Sequence, residues 1–365
     1  MEYTFLTWAD THHDELGAKC VTLADTIKVE RDLFQRARDI KCDFTLFPGD
    51  RYLKREPRDE VKVMADRVMY DFVHKGSIPH YHLIGNHDWT DNTRRWHTAE
   101  SLKWMNNVII MDKAKTYGQD NVRIHALPAD FEFDMSKYDI DHNCLNLFVF
   151  HDTIRGSHMN EEGTMTFDSG IELSSIDLPQ WDFVIAGDIH VRQKFNLKNT
   201  HGGYLGSVVQ RTRIDSNVAR GWTEMKAVKE PNRWSFQVNF VPTKNLFTRI
   251  HYGVDDNSTF EGLTFDASLF NDQFVEVKIS GDKIDVDRVA DDPGWKKLFK
   301  KLKPRKIEIL RAYETQQSNV VVDLTSSNGV LDDASMYLDS NFASLGALKR
   351  EVVMEAVNQL RNQEA

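Results

Sequence analysis

Five short apolar runs along the chain each end in a polar cluster. Phe5 to Ala9 precede Asp10, Phe44 to Phe47 precede Gly49-Asp50, and His82 to Ile84 precede Gly85-Asn86-His87-Asp88. Leu145 to Phe150 precede His151-Asp152, and Phe183 to Ala186 precede Gly187-Asp188-Ile189-His190. Short, continuous apolar runs of this kind read as buried strands, each feeding a loop that carries function. Val61, Met64, Ala65, Val68, Met69 and Phe72 recur at helical spacing, with Lys75-Gly76 as a stop, and a further helix is expected around Leu33, Ala37 and Ile40. Strands alternating with helices imply parallel pairing, and ligands then collect beyond the carboxyl ends of the strands. All five polar clusters are expected to converge there.

From about Leu205 the pattern changes to alternation, as in Trp234 to Val241, which predicts hairpins completing a second sheet. The predicted class is α/β, with a first domain over 1–245. Phe274 to Ile279 and Lys306 to Leu310 read as strands and Trp295 to Leu302 as a basic helix, giving a small α+β module over 246–314. Residues 315–365 read as a polar, acidic tether followed by an amphipathic helix with Leu345, Leu348, Val352, Val353, Ala356, Val357 and Leu360 on one side. No internal repeat or low-complexity tract interrupts this order.

Composition narrows the classes. The 365 residues are 41% hydrophobic and 28% charged, and no apolar run approaches the roughly 20 residues needed to span a bilayer, so no membrane role is expected. Three scattered cysteines, Cys20, Cys42 and Cys144, and a first segment without a secretory pattern lead us to expect buried thiols and a cytoplasmic protein. A formal charge of -10 means that any nucleic-acid contact must be local, because non-specific affinity comes from neutralised phosphates.

Asp10 or Gly49-Asp50 alone reads equally well as a capping carboxylate. Gly85-Asn86-His87-Asp88 is sharper, since it sets an amide oxygen, an imidazole and a carboxylate in sequence after a strand. With His151, Asp188 and His190, the combination is a set of donors for borderline or hard divalent ions such as Mn2+, Mg2+ or Fe2+, and no thiolate stands near it.

In this order, D-x-H, G-D, G-N-H-D, H and G-x-x-H, the motifs resemble those of the calcineurin-like metallophosphoesterases. Gly206-Ser207 followed by Gly221-Trp222, with a small appended module and a C-terminal helix, resembles the SbcD-type double-strand-break-repair nucleases, including their shorter phage relatives. The motif resemblance runs from residue 1 to about 245. It implies a two-sheet αββα sandwich with a small capping domain and a C-terminal helix. It also implies one divalent ion on Asp10, His12, Asp50 and His190 and a second on Asp50, Asn86, His151 and Asp188, with Asp50 bridging and Mn2+ or Mg2+ as the metal. Asp188 departs from the histidine usual there, which should favour harder ions. His87 is the candidate acid toward the leaving oxygen and Asp88 the group expected to orient its ring.

The same resemblance implies a DNA exonuclease and endonuclease subunit acting in repair, recombination or replication. It would work as a homodimer with an SbcC-type coiled-coil ATPase bound through the C-terminal region. Arg51, Lys54, Arg55, Arg94, Arg95 and Arg192 beside the motifs are candidate DNA contacts, and Lys296 to Lys306 form a further basic stretch. A phosphatase or small-nucleotide phosphodiesterase, and a scaffold that has lost catalysis, are the competing readings.

Overall fold

A computed structural model describes residues 1–14, 21–118, 120–211, 215–231, 233–264, 266, 272–302 and 304–313. The expected tether and C-terminal helix, including Leu345 to Leu360, lie outside the described residues, as does Cys20. The chain opens with β1 (Glu2–Thr7), α1 (Leu23–Asp39), β2 (Phe44–Phe47), α2 (Asp59–Met69), β3 (His80–Leu83) and β4 (Val108–Met111). Next come β5 (Lys115–Tyr117), β6 (Val122–Leu127), β7 (Leu145–His151), α3 (Leu173–Ile176), β8 (Phe183–Gly187), β9 (Gln193–Lys194) and β10 (Gly202–Tyr204). The remainder is β11 (Gly221–Lys229), β12 (Trp234–Pro242), β13 (Phe247–Val254), β14 (Phe274–Gly281), α4 (Lys283–Ala290), α5 (Gly294–Leu302) and β15 (Lys306–Tyr313).

Two six-stranded sheets stack, in the orders β12-β11-β1-β2-β3-β4 and β5-β6-β7-β8-β10-β9. Their apolar runs lack alternation because both faces of each strand are buried, as parallel strands require. In β7, Leu145, Leu147 and Val149 face the other sheet, while Phe148 and Phe150 face outward into an aromatic cluster with Trp181. In the first sheet Phe5, Phe44 and Leu46 point between the sheets, and Leu6, Trp8 and Phe47 point to the helices.

The helices α1 and α2 cover the outside of the first sheet. Thr22 and Asp25 form a reciprocal capping box at the start of α1, satisfying two otherwise orphan donors. α2 runs on as a π-helical turn over Tyr70–His74 that closes at Lys75, the expected stop. Outside the second sheet the layer is thin, with the single turn α3 and loops carrying Tyr138, Trp181 and Ile176. The architecture is the expected αββα sandwich with a reduced second helical layer.

Two expectations change. The β11–β12 hairpin does not complete the second sheet; it pairs antiparallel with β1 and widens the first. Alternation marks a half-buried strand but carries no information about which edge it joins. The 246–313 segment forms three parallel strands, β13-β14-β15, covered by α4 and α5, so it is a parallel α/β layer and not an α+β module.

This third sheet is joined to the sandwich within one compact unit, Met1–Tyr313. Leu246, Phe247 and Phe274 enter the core that α1 and α2 build. Buried Gln210 fastens the junction: its oxygen accepts from Leu246 N (2.6 Å) and Phe247 N (2.7 Å), and its nitrogen donates to Asp215 O (3.0 Å) and Val218 O (2.8 Å). Arg305 reaches from the segment before β15 to Asp25 at the cap of α1. Replacing Gln210 by leucine keeps volume but leaves four backbone groups without this partner. We expect a loss of about 2–4 kcal/mol of stability, measured as a lower urea midpoint.

Candidate metal centre

The expected ligands leave the carboxyl ends of β1, β2, β3, β7 and β8, the first three from one sheet and the last two from the other. The stacked sheets bring these ends to one edge, so the five clusters do converge. The chain bends sharply to do so. Asp10, His12, Asp50 and Asp188 have φ of 54°, 48°, 62° and 90°, all in the left-handed region. Such a conformation costs a non-glycine residue on the order of 1–3 kcal/mol and persists where the surroundings over-determine it. Four of seven expected ligands carrying it marks the place where geometry is held against local preference. Space is equally tight: a β-carbon at Gly85 would overlap the Asp50 carboxylate, and one at Gly49 the His151 ring.

Three overlapping groups of donors result: Asp10, His12 and His190; His12, Asp50 and His87; and Asp10, Asp50 and His151. In each, the ligand atoms lie within 4.8 Å of one another. His12 Nε2 and His190 Nε2 are 3.0 Å apart. Asp50 faces both sides, with Oδ2 at 3.6 Å from His12 Nε2 and Oδ1 at 3.3 Å from His151 Nε2. Asn86 Oδ1 is 3.2 Å from His151 Nε2, and Asp188 Oδ1 is 3.9 Å from it. Asp10 Oδ1 accepts from Asp188 N (3.2 Å), whereas the buried Oδ2 has no hydrogen-bond partner.

Backbone carbonyls orient the rings. Pro48 O lies 2.6 Å from His151 Nδ1 and Leu53 O lies 2.6 Å from His87 Nδ1. Protons held on Nδ1 leave each Nε2 turned to the centre, the usual way a protein fixes the tautomer of a ligating histidine. The donors are oxygen and imidazole nitrogen only, a set suited to divalent ions of borderline or hard character.

Electrostatics agree with that fit. Burial pushes the Asp10 carboxyl well above the usual range, with Asp50 and Asp188 adding to the shift and His151 opposing it. Burial also depresses His12, although Asp50 works against it. For His151 burial is outweighed by Asp50, Asp10 and Asp188, which hold its pKa well above normal. Asp50 is held low despite burial because His151, His12 and His87 surround it. Carboxylates gathered in the interior thus need positive charge, and divalent cations on Asp10, Asp50 and their neighbours would supply it.

Beneath the centre lies a buried ion network that sequence reading did not assemble. Arg51 donates to both oxygens of Glu30, from Nη1 (2.7 Å) and Nη2 (3.2 Å), and to Ala65 O (2.9 Å). His13 joins through Thr26 Oγ1 (2.8 Å) and Glu30 Oε2 (3.3 Å). The loops are also tied directly, His12 N to Asp50 O (3.1 Å) and His13 N to Arg51 O (2.8 Å). Glu30 therefore anchors the residue after His12 and the residue after Asp50. Its position was visible in principle, since Ile27, Glu30, Phe34 and Ala37 share the buried face of α1.

The structure relocates several expected roles. Asp88 does not orient the His87 ring: its carboxylate accepts from Gly85 N, Asp50 N, Arg51 N and Thr98 Oγ1, and so fastens the ligand loops. Arg51 is 1% exposed and is not a DNA contact, because its guanidinium is consumed by Glu30. Arg192 is partly buried, lying 4.6 Å over Phe240 and donating to Thr223. Lys54, Arg55, Arg94 and Arg95 do reach solvent. Asp152 caps its own turn through Thr153 N, and Thr153 Oγ1 donates to Asp188 Oδ2 (2.7 Å). Cys42 and Cys144 are buried free thiols, and no helix among the described residues is long and apolar enough to cross a membrane.

No protein-family model matches the chain, and no curated protein matches it. Among solved structures it is similar to a dimetal phosphatase from Danio rerio, with 13% identity over 65% of this chain and 96% of that one and a TM-score of 0.43. A predicted phosphoesterase from Streptococcus pneumoniae gives 10% identity, 66% and 99% coverage and a TM-score of 0.30. A metallophosphoesterase from Sphaerobacter thermophilus gives 12%, 65%, 89% and 0.27.

Two variants test the centre without an activity assay. Asp10→Asn removes a buried carboxylate whose Oδ2 has no hydrogen-bond partner, so the chelator-treated protein should gain about 1–3 kcal/mol of stability while the rise in Tm that Mn2+ gives the unaltered chain disappears. Glu30→Gln strands the Arg51 cation in the interior and should cost about 3–5 kcal/mol, with weaker Mn2+ binding by calorimetry; unchanged stability and affinity would dismiss the network's role.

Proposed function

We propose that this chain is a nuclease subunit that hydrolyses phosphodiester bonds of DNA with two divalent cations, Mn2+ or Mg2+. The observation that carries the reading is the overlap of donor groups at Asp50, whose two oxygens face His12 on one side and His151 on the other. Asp10, His12 and His190 would hold one cation, and Asn86, His151 and Asp188 the other. When bound, such a pair activates water and offsets charge on the attacking and leaving oxygens.

The chain's own residues then divide the remaining work. His87 N donates to Asp50 Oδ1 (3.0 Å), which keeps that carboxylate turned inward. With Nδ1 held by Leu53 O, the His87 ring turns Nε2 to the centre, where a proton carried on that atom would pass to a leaving oxygen, the role of a general acid. Lys54 and Arg55 follow Asp50, and Arg94 and Arg95 follow Asp88, so exposed cations stand on the loops that carry the ligands. Lys296, Lys297, Lys300 and Lys301 recur on one exposed face of α5. This placement in an acidic chain favours a long polyanion over a small phosphate ester. Partnership with an SbcC-type ATPase through residues 315–365, in a homodimer, completes the reading.

Cleavage of linear duplex DNA should require Mn2+ or Mg2+ and vanish in Asp50→Asn. His87→Gln should lose about 10²- to 10⁴-fold in rate while keeping its metal affinity. A chain that is silent on DNA with and without the ATPase, yet hydrolyses an aryl phosphate ester, is a phosphatase; silence on both substrates leaves a scaffold.

A further inference from the structure

The surface that includes Trp89, Arg94 and His97 holds a cleft of about 380 Å³, within the range of small-molecule sites, and none of its lining residues is an expected metal ligand. Arg94, Arg95, Lys113 and Lys137 line it, with Trp89 and Phe131. Asp112 also reaches it, but its carboxylate is engaged by Lys103 (3.0 Å) and approached by His97 (3.6 Å). Among the described residues Arg95, Lys113 and Lys137 form no ion pair, and all three side chains are on exposed residues. Three exposed cations outside any ion pair around one concavity, with only the more distant fields of Asp91 on Arg95 and Asp134 on Lys137, form a local anion site in a chain of charge -10.

The apolar side of the cleft is as specific as the charge. The Arg94 guanidinium carbon lies 5.6 Å from the centre of the Phe131 ring, so a planar cation and an aromatic ring stand side by side on the cleft wall. Guanidinium planes and aromatic faces are the surfaces on which nucleobases stack. Trp89 stiffens this wall, bridging His97 and donating Nε1–H to Ala129 O (3.3 Å).

The cleft is also mechanically tied to the ligands. The segment from Trp89 to His97 is pinned at both ends by Asp88, whose carbonyl accepts from Thr98 N (2.8 Å) and whose carboxylate accepts from Thr98 Oγ1 (3.2 Å) and Asp50 N (3.0 Å). The wall that carries Trp89, Arg94 and Arg95 is therefore tied to Asp50, the residue that both proposed cation groups share.

We propose that this cleft is a nucleotide subsite, with Arg95, Lys113 and Lys137 taking a phosphate and the planar groups of Arg94 and Phe131 taking a base. The nucleotide is either a unit of the strand under attack or a free mononucleotide. The proposal extends the phosphodiesterase reading by giving the substrate a hold that is independent of the cations.

Because the hold is independent, it can be read without them. The full chain in chelator is titrated calorimetrically with dAMP, a short oligothymidylate and inorganic phosphate. The unaltered chain should bind dAMP or the oligonucleotide, and more tightly than inorganic phosphate. Lys113→Glu combined with Lys137→Glu should weaken that binding on the order of tenfold, at unchanged Tm and unchanged metal-dependent hydrolysis of an aryl phosphate diester. Phe131→Ala should weaken the nucleotides and leave inorganic phosphate alone.

Displacement of bound oligonucleotide by dAMP identifies one shared subsite; binding of the oligonucleotide alone identifies the strand as the source. No nucleotide binding to the metal-free chain, equal affinity in the double lysine variant, or inorganic phosphate binding as tightly as whichever of dAMP and the oligonucleotide binds each overturns the proposal. An inactive chain that still binds nucleotides here sinks the nuclease reading and not the subsite, whereas an active nuclease indifferent to the lysine variants does the reverse.

Discussion

The arrangement depends on one electrostatic constraint: Asp10 and Asp50 are carried into the interior beside Asp188, where the imidazoles of His151, His12 and His87 do most to balance them. In water these carboxylates would be hydrated and apart. Inside, desolvation and mutual repulsion push Asp10 toward its neutral form, while the surrounding carboxylates outweigh burial and hold the pKa of His151 well above normal. Such a cluster is costly to fold and rewarding to load, because each added positive charge relieves several interactions at once. Stability and function therefore pull in opposite directions at these positions, which is a common mark of a binding or catalytic centre.

What keeps the donors together is a frame built to resist that repulsion. Left-handed turns at Asp10, His12, Asp50 and Asp188 aim alternate side chains inward, and close packing at Gly49 and Gly85 leaves no slack. Asp88 collects four donors from the surrounding loops, so one carboxylate outside the ligand set fixes the backbone of another inside it. The Glu30–Arg51 pair carries the same function one layer deeper, where α1 meets α2. Buried pairs of this kind add little net stability but are destructive when halved. Their use here is to fix position.

Away from the centre the molecule separates its tasks. Charge that must not reach the ligands, such as Arg51, is locked into the core, while Lys54, Arg55, Arg94 and Arg95 on neighbouring loops stay in solvent. The third sheet contributes no ligand; it is sewn to the sandwich by Gln210, by Arg305 at the α1 cap and by apolar residues around Phe274. Its exposed lysine face on α5 belongs to the same compact unit as the sandwich.

Much of this was legible in the chain itself. Runs such as Leu145 to Phe150 had to be strands buried on both faces, since no amphipathic pattern offered either face to water. The polar clusters after them had to sit at strand ends, and Asp10, His12, Asp50, Asn86, His151, Asp188 and His190 do gather there. Tertiary structure decided what local pattern cannot encode: which sheet received the β11–β12 hairpin, and that β13 to β15 pair in parallel. It also turned Arg51 inward, and it gave Asp88 to the backbone and not to His87. Each of these depends on a partner distant in sequence, Glu30 for Arg51, and the backbone of Asp50 and Arg51 for Asp88. A residue's chemistry is written in its side chain; its partner is chosen only when the chain closes.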